Sequence, residues 1–226
     1  MREECPDRLV EDVVDSSRGP RRGRPPVSDE QRMRQRLDIS RHAVRLFAEQ
    51  GVAATPGEQI ARVAGVSERT LWRYFRNKES CVEPLLTKMI DAFQEVLRAW
   101  PRELGLEEHL RAAYRPLLDS SPGEDVEAVL AVVRMTHDEP ALRATYLMLR
   151  ERAEDTLAEV LAERTAPGTV DVRMQAATMS AVLKVTTDDF ARAVAEAGIT
   201  AETLRQHREN LACALGPVAR GLPDGG

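Results

Sequence analysis

The residues whose types and spacing could do chemistry fall in one short run, Ser67-Glu68-Arg69-Thr70-Leu71-Trp72-Arg73-Tyr74-Phe75-Arg76-Asn77-Lys78. Guanidinium groups there can meet guanine edges or phosphates, a phenol and an ammonium can hold a phosphate oxygen, and an indole can lie against sugar and backbone. That set suits binding to a polyanion. The motifs of catalysis are missing: the chain has no HExxH, no metal-spaced Cys/His cluster, no GxSxG and no Gly-rich phosphate cradle. Asp188 and Asp189 sit side by side, but neighbours on a helix diverge by about 100° and cannot converge on one substrate. His137 stands beside Asp138 and Glu139, next to the helix break at Pro140, while His42, His109 and His207 are isolated and read as surface or satisfied histidines. The expectation is a protein that is not an enzyme, with no catalytic residue, metal or cofactor.

Charge distribution supports that reading. The net charge of −5 conceals a division: residues 18–78 carry 14 Arg/Lys against 6 Asp/Glu, and residues 83–226 carry 16 against 24. One compact basic segment in an otherwise acidic chain is the pattern of a nucleic-acid contact attached to a body with another task. Cys5, Cys81 and Cys213 are scattered and odd in number, which suits a reducing compartment rather than a disulfide framework. The N-terminus has no apolar h-region and no stretch approaches 18 apolar residues, so a cytoplasmic protein without a membrane span is expected.

The elements that must position the basic run are helices. Aromatics are only 4% of the chain, so Leu, Val, Ala and Ile supply the core volume, and no segment alternates as a strand would. A first helix opens at Ser28-Asp29-Glu30, runs through Ile39, Ala43, Leu46 and Phe47 on one face, and ends at Gly51. Thr55-Pro56-Gly57-Glu58 reads as a capping box with proline at the first helical position. That short second helix stops at Gly65, and Ser67 caps a third, Glu68 to Phe75, with Leu71 and Phe75 inward. Two short helices joined by Ala64-Gly65-Val66 make a helix-turn-helix. Further helices are expected near 78–99, 103–118, 123–136, 139–165, 170–197 and 200–220, with Pro84 kinking the first of these or delaying its start.

The segment ISRHAVRLFAEQGVAATPGEQIARVAGVSERTLWRYFRNKESCV resembles the DNA-binding domain of the TetR family over about residues 37–82. Its marks are LFAEQG closing the first helix, an IAxxAGVS turn, and TLWRYFRNKE leading out of the recognition helix. The resemblance implies an all-α protein with three parts: a flexible basic arm (1–28), a three-helix helix-turn-helix DNA-binding domain (29–78), and a helical effector-binding and dimerisation domain (79–226). It also implies a homodimer joined through the last two long helices, a double-stranded, palindromic operator, and a small-molecule effector that releases a repressor from that operator.

Within this frame Glu68, Arg69, Thr70, Arg73 and Tyr74 face outward on the recognition helix, with Trp72 at its flank. Arg69 suits guanine and Thr70 a thymine methyl or a phosphate; Glu68 either accepts from cytosine or repels a wrong register. The alternative for Glu68 and Arg69 is that they are solvated helix-start residues, against which their place in this motif favours contact; Trp72 reads equally as a core anchor. Tyr74 and Lys78 match positions that bind phosphate in the family, and Thr55 is either a third such contact or a plain cap. Arg22 and Arg24, within Arg21-Arg22-Gly23-Arg24-Pro25-Pro26, resemble the Arg-Gly-Arg-Pro core of AT-hooks, a minor-groove reader or else a nonspecific basic tail. Tyr114, Arg134, Met135, His137, Tyr146 and Met148 lie on the helices where family pockets form, with plain core as the other reading.

Overall fold

The computed structural model describes residues 28–120, 123–163 and 172–220, which leaves Cys5 and the arm with Arg22 and Arg24 outside the described residues. The first helix, α1 (Asp29–Gln50), starts at a reciprocal cap: the Ser28 hydroxyl accepts from the Gln31 amide and the Gln31 side chain accepts from the Ser28 amide. It ends at Gly51, whose φ of 87° is a conformation that suits glycine. Helices α2 (Gly57–Val63) and α3 (Glu68–Tyr74) follow, then a 3-10 turn at Glu79–Val82. Pro84 sits in the first turn of α4 (Glu83–Arg98), so it delays the regular start rather than kinking a longer helix.

The remaining elements are α5 (Leu106–Ser120), α6 (Gly123–Met135), α7 (Pro140–Ala162), α8 (Val172–Ala197) and α9 (Ala201–Ala219). Their ends lie within three residues of the breakers and caps that the sequence displays. No strand occurs among the described residues. Helix α9 packs on both α5 and α8, α8 on α6 and α7, and α4 on α7.

Two apolar clusters hold the helices. The first runs without a gap from Ile39, Phe47, Ile60, Leu71 and Phe75 of the three N-terminal helices into Leu85, Val132, Leu142 and Phe190. The second joins Leu97, Leu110, Leu157, Met179, Leu211 and Leu215 at the other end. Because α1 shares a core with α6, displacement of α6 is felt at the helix-turn-helix.

A charged contact reinforces that junction. Asp125, in the first turn of α6, is 1% exposed and accepts from the Arg41 guanidinium at 2.7 and 2.9 Å and from the Lys88 ammonium at 2.6 Å. Hydrogen bonding from Arg41 in particular holds the carboxyl down at about 2. One carboxylate thus ties α1, α4 and α6 together. Removing a partner from a buried ion pair leaves an uncompensated charge, at a cost tempered here because Arg41 and Lys88 remain more than a third exposed. Asp125→Ala should therefore lose roughly 2–3 kcal/mol in urea unfolding; a variant within 0.5 kcal/mol of the parent, as for an ordinary surface change, would refute a structural role for the contact.

Candidate nucleic-acid interface and cavity

In the helix-turn-helix, Gly65 turns the chain at a φ of 67° and the Val66 amide donates to Ala61 O at 2.9 Å. Ser67 caps α3 by accepting from the Thr70 amide, and Leu71 is fully buried, so the helix is pinned from behind. Its outer face carries Glu68, Arg69, Trp72 and Arg73, all exposed. Glu68 and Arg69 form no hydrogen bond or ion pair among the described residues, which leaves both free at the N-terminal end of the helix. Arg73 lies over the Tyr74 ring at 5.0 Å. The Thr70 hydroxyl is 3.0 Å from that of Ser67.

The other expected contacts have structural partners. Tyr74 donates its phenol proton to Gln35 Oε1 at 2.9 Å, which fastens α3 to α1. Lys78 directs its ammonium to three carbonyls, Val52 at 2.6 Å, Thr55 at 3.1 Å and Ala53 at 3.4 Å, and so holds the turn between α1 and α2. Trp72 is 45% exposed, and its ring lies so close over Gly57 that a Cβ there would fall 2.1 Å from the indole. The Pro56-Gly57 opening of α2 thus makes room for an indole.

Thr55 does not cap α2 as the Thr-x-x-Glu pattern suggests. Pro56 occupies the cap position and no side chain bonds the helix start. The Thr55 hydroxyl instead donates to Gly51 O at 2.8 Å and accepts from Gln50 at 3.0 Å, and the residue is fully buried. Its hydroxyl is therefore turned away from solvent. Gln35, Gln50 and Gly57 support the interface without any sequence signal that singles them out.

A second feature lies in the body. A mostly apolar cavity of about 140 Å³ opens between α4, α5, α6, α7, α8 and α9. On α6 its wall is Val126, Val129, Leu130 and Val133; on α7 it is Tyr146, Arg150, Ala153, Glu154 and Leu157. Tyr114 and Tyr146 are there, as expected. Arg134, Met135, His137 and Met148 are not. The positions after Val133 rotate away from the wall at about 100° per residue: Arg134 donates to Ala191 O, Met135 packs against the first core, and His137 is exposed beyond the helix end. Met148, two residues from Tyr146, faces outward.

His207, one of the histidines expected to be at the surface or satisfied, and Arg150, which no sequence signal marks, complete the cavity. His207 is buried, stacked on Phe190 with ring centroids 4.1 Å apart, and its Nε2 lies 3.3 Å from the Tyr114 hydroxyl. Burial away from any counter-charge pulls its pKa down to about 4. Arg150 donates to the Tyr146 hydroxyl and to both the carbonyl and the hydroxyl of Ser180, and it lies over the Tyr146 ring. Among the described residues no helix is long and apolar enough to cross a membrane.

Residues 39–85 match the sequence model of the bacterial regulatory proteins of the tetR family. The chain thus carries a tetR-type DNA-binding segment at residues 39–85. It is similar to the HTH-type transcriptional regulator TcmR of Streptomyces glaucescens, at 31% identity over 136 residues. That match covers 58% of this chain and spans about 60% of the relative's length. Among solved structures, a Syntrophomonas wolfei protein described as a TetR-family regulator superposes at a TM-score of 0.63 and 18% identity, over 87% of this chain and all of the other. FadR of Bacillus subtilis, solved with stearoyl-CoA, gives 0.52 and 20%, over 79% and 97%. At these identities the likeness is one of fold, and it takes in the helical body as well as the N-terminal helices.

The buried imidazole of His207 makes the stability of the chain depend on pH. A folded pKa of about 4 lies below the ordinary 6.5, so the contribution is fully present above 6.5 and is lost as pH falls toward 4. The difference amounts to about 3 kcal/mol. Between pH 7 and 4.5, His207→Phe should lose visibly less stability in urea than the parent; parallel losses would show that His207 is not the titrating group.

Proposed function

We propose that this chain is a dimeric, sequence-specific DNA-binding regulator of transcription, a repressor that leaves its operator when a small molecule occupies the cavity. The observation that carries the DNA-binding half is the recognition helix: Glu68 and Arg69 stand exposed and unpaired at its start, while Leu71 and the Tyr74–Gln35 bond fix its back. A helix so held enters a major groove with its first turn leading. In this reading Glu68, Arg69 and Thr70 meet base edges, Arg73 and the exposed ring of Trp72 meet the backbone, and Tyr74 serves by holding the helix through Gln35. Lys78 acts through the turn it holds, and the Arg22 and Arg24 arm adds salt-dependent affinity.

Residues 29–78 serve as the head and 79–226 as the body, with the last two long helices joining two copies across a two-fold axis. An exposed stripe on α8 supports that face: Met174, Ala177, Ala181 and Val185 recur at helical spacing, with Met174 and Val185 more than half exposed. A cavity with mainly apolar walls supports the effector, and the FadR relative binds stearoyl-CoA at the level of its own structure. Val126 and Met89, neighbours in sequence of Asp125 and Lys88, line that cavity, so an occupant presses on the helices that hold Arg41 of α1.

Selection of bound duplexes from a random pool by the purified chain tests the reading, with a two-fold symmetric motif expected. On the recovered operator, Arg69→Ala should cost ~1–3 kcal/mol and relax preference at a single base pair per half-site. A uniform loss across all base changes would place Arg69 on the backbone instead, and absence of any enriched motif would overturn the proposal.

A further inference from the structure

The cavity wall contains two charged side chains, and they are in different situations. Arg150 is engaged by the Tyr146 hydroxyl and ring and by the carbonyl and hydroxyl of Ser180. Glu154 stands one turn further along α7, at the i+4 position within reach of an Arg side chain, yet it forms no hydrogen bond or ion pair among the described residues. The other polar groups of the wall are mostly matched within the fold. Gln94 donates to Ala153 O and Tyr114 meets His207. A half-buried carboxylate without a partner beside apolar walls is the unmatched charge of the site.

Around it the wall is aromatic. Phe93 and Tyr114 pack edge to face at 5.9 Å, Phe190 stacks on His207, and Tyr146 carries Arg150 over its ring. Ring faces attract a cation, and a carboxylate fixes where it sits. An anionic ligand would meet Glu154 and find Arg150 already bonded to α8. Resting on the reading of the cavity as an effector site, we infer that the effector is an apolar organic cation, a protonated or quaternary amine on a hydrophobic body, with its charge on Glu154. Arg150 is a positioning residue that keeps its guanidinium on Ser180 and off Glu154.

Three probes of one shape test this: a naphthylmethyl-trimethylammonium ion, its uncharged tert-butyl isostere, and naphthylacetate. Calorimetric titration of the full chain should show the ammonium ion binding roughly tenfold or more tightly than the uncharged isostere, with naphthylacetate weakest. Glu154→Gln should erase that advantage while leaving the isostere's affinity unchanged. Equal affinities in the parent chain, or a preference that survives in the variant, would overturn the charge assignment while leaving the cavity reading intact. Should no probe bind the parent chain, the cavity reading fails and this inference with it. The comparison of probes on the parent chain needs no variant, so a poorly folding Glu154→Gln cannot obscure the result.

Discussion

Asp125 is the contact on which the arrangement turns. A carboxylate in the first turn of a helix ordinarily faces water and favours the helix dipole. Here it is buried, and it draws Arg41 of α1 and Lys88 of α4 onto one point at the start of α6. The apolar cluster shared by α1, α6 and α8 would bring these helices together without it, but apolar packing is non-directional. The bidentate guanidinium contact fixes an angle between α1 and α6 as well as a distance. In the proposed mechanism that angle sets where the recognition helix points.

The same few helices therefore carry two tasks. On one side α4 and α6 present Lys88 and Asp125 to α1, and on the other they wall the cavity with Met89, Phe93, Val129 and Val133. In the proposed mechanism an occupant that parts α4 from α6 strains the Lys88–Asp125 pair, and one that shifts α6 strains the Arg41–Asp125 pair as well. A two-state element biased from both ends is what coupling between distant sites requires.

The helices were legible in the sequence because their ends are chemically marked. Gly51 and Gly65 take positive φ, Ser28 and Ser67 cap, and Pro84 and Pro140 stand in first turns. The recognition helix was legible for the same reason: Glu68, Arg69 and Arg73 are exposed as its period predicts, whereas Thr70 and Tyr74 are half-buried and Tyr74 is turned to Gln35 of α1. Tertiary partners left no such mark. Thr55 reads as a cap from its local pattern, but Gln50 and the Gly51 carbonyl claim its hydroxyl. Nothing in the sequence singles out Asp125, because its partner Arg41 lies 84 positions away. Tyr114 and Tyr146 reach the cavity, whereas Arg134, Met135, His137 and Met148 do not. Which face of α6 or α7 points inward depends on how six helices pack, and His207 joins the wall only once α9 docks on α5 and α8.

In the proposed mechanism the cavity and the DNA-binding face are linked, and by reciprocity that linkage can be measured from the cavity side. The uncharged fluorophore N-phenyl-1-naphthylamine would be titrated into the free chain and into the chain saturated with its selected operator. Binding should be weaker to the operator-bound form, by the same factor with which the fluorophore weakens operator binding, and that factor should be smaller in Asp125→Asn. Equal affinity for the free and operator-bound forms would contradict the linkage.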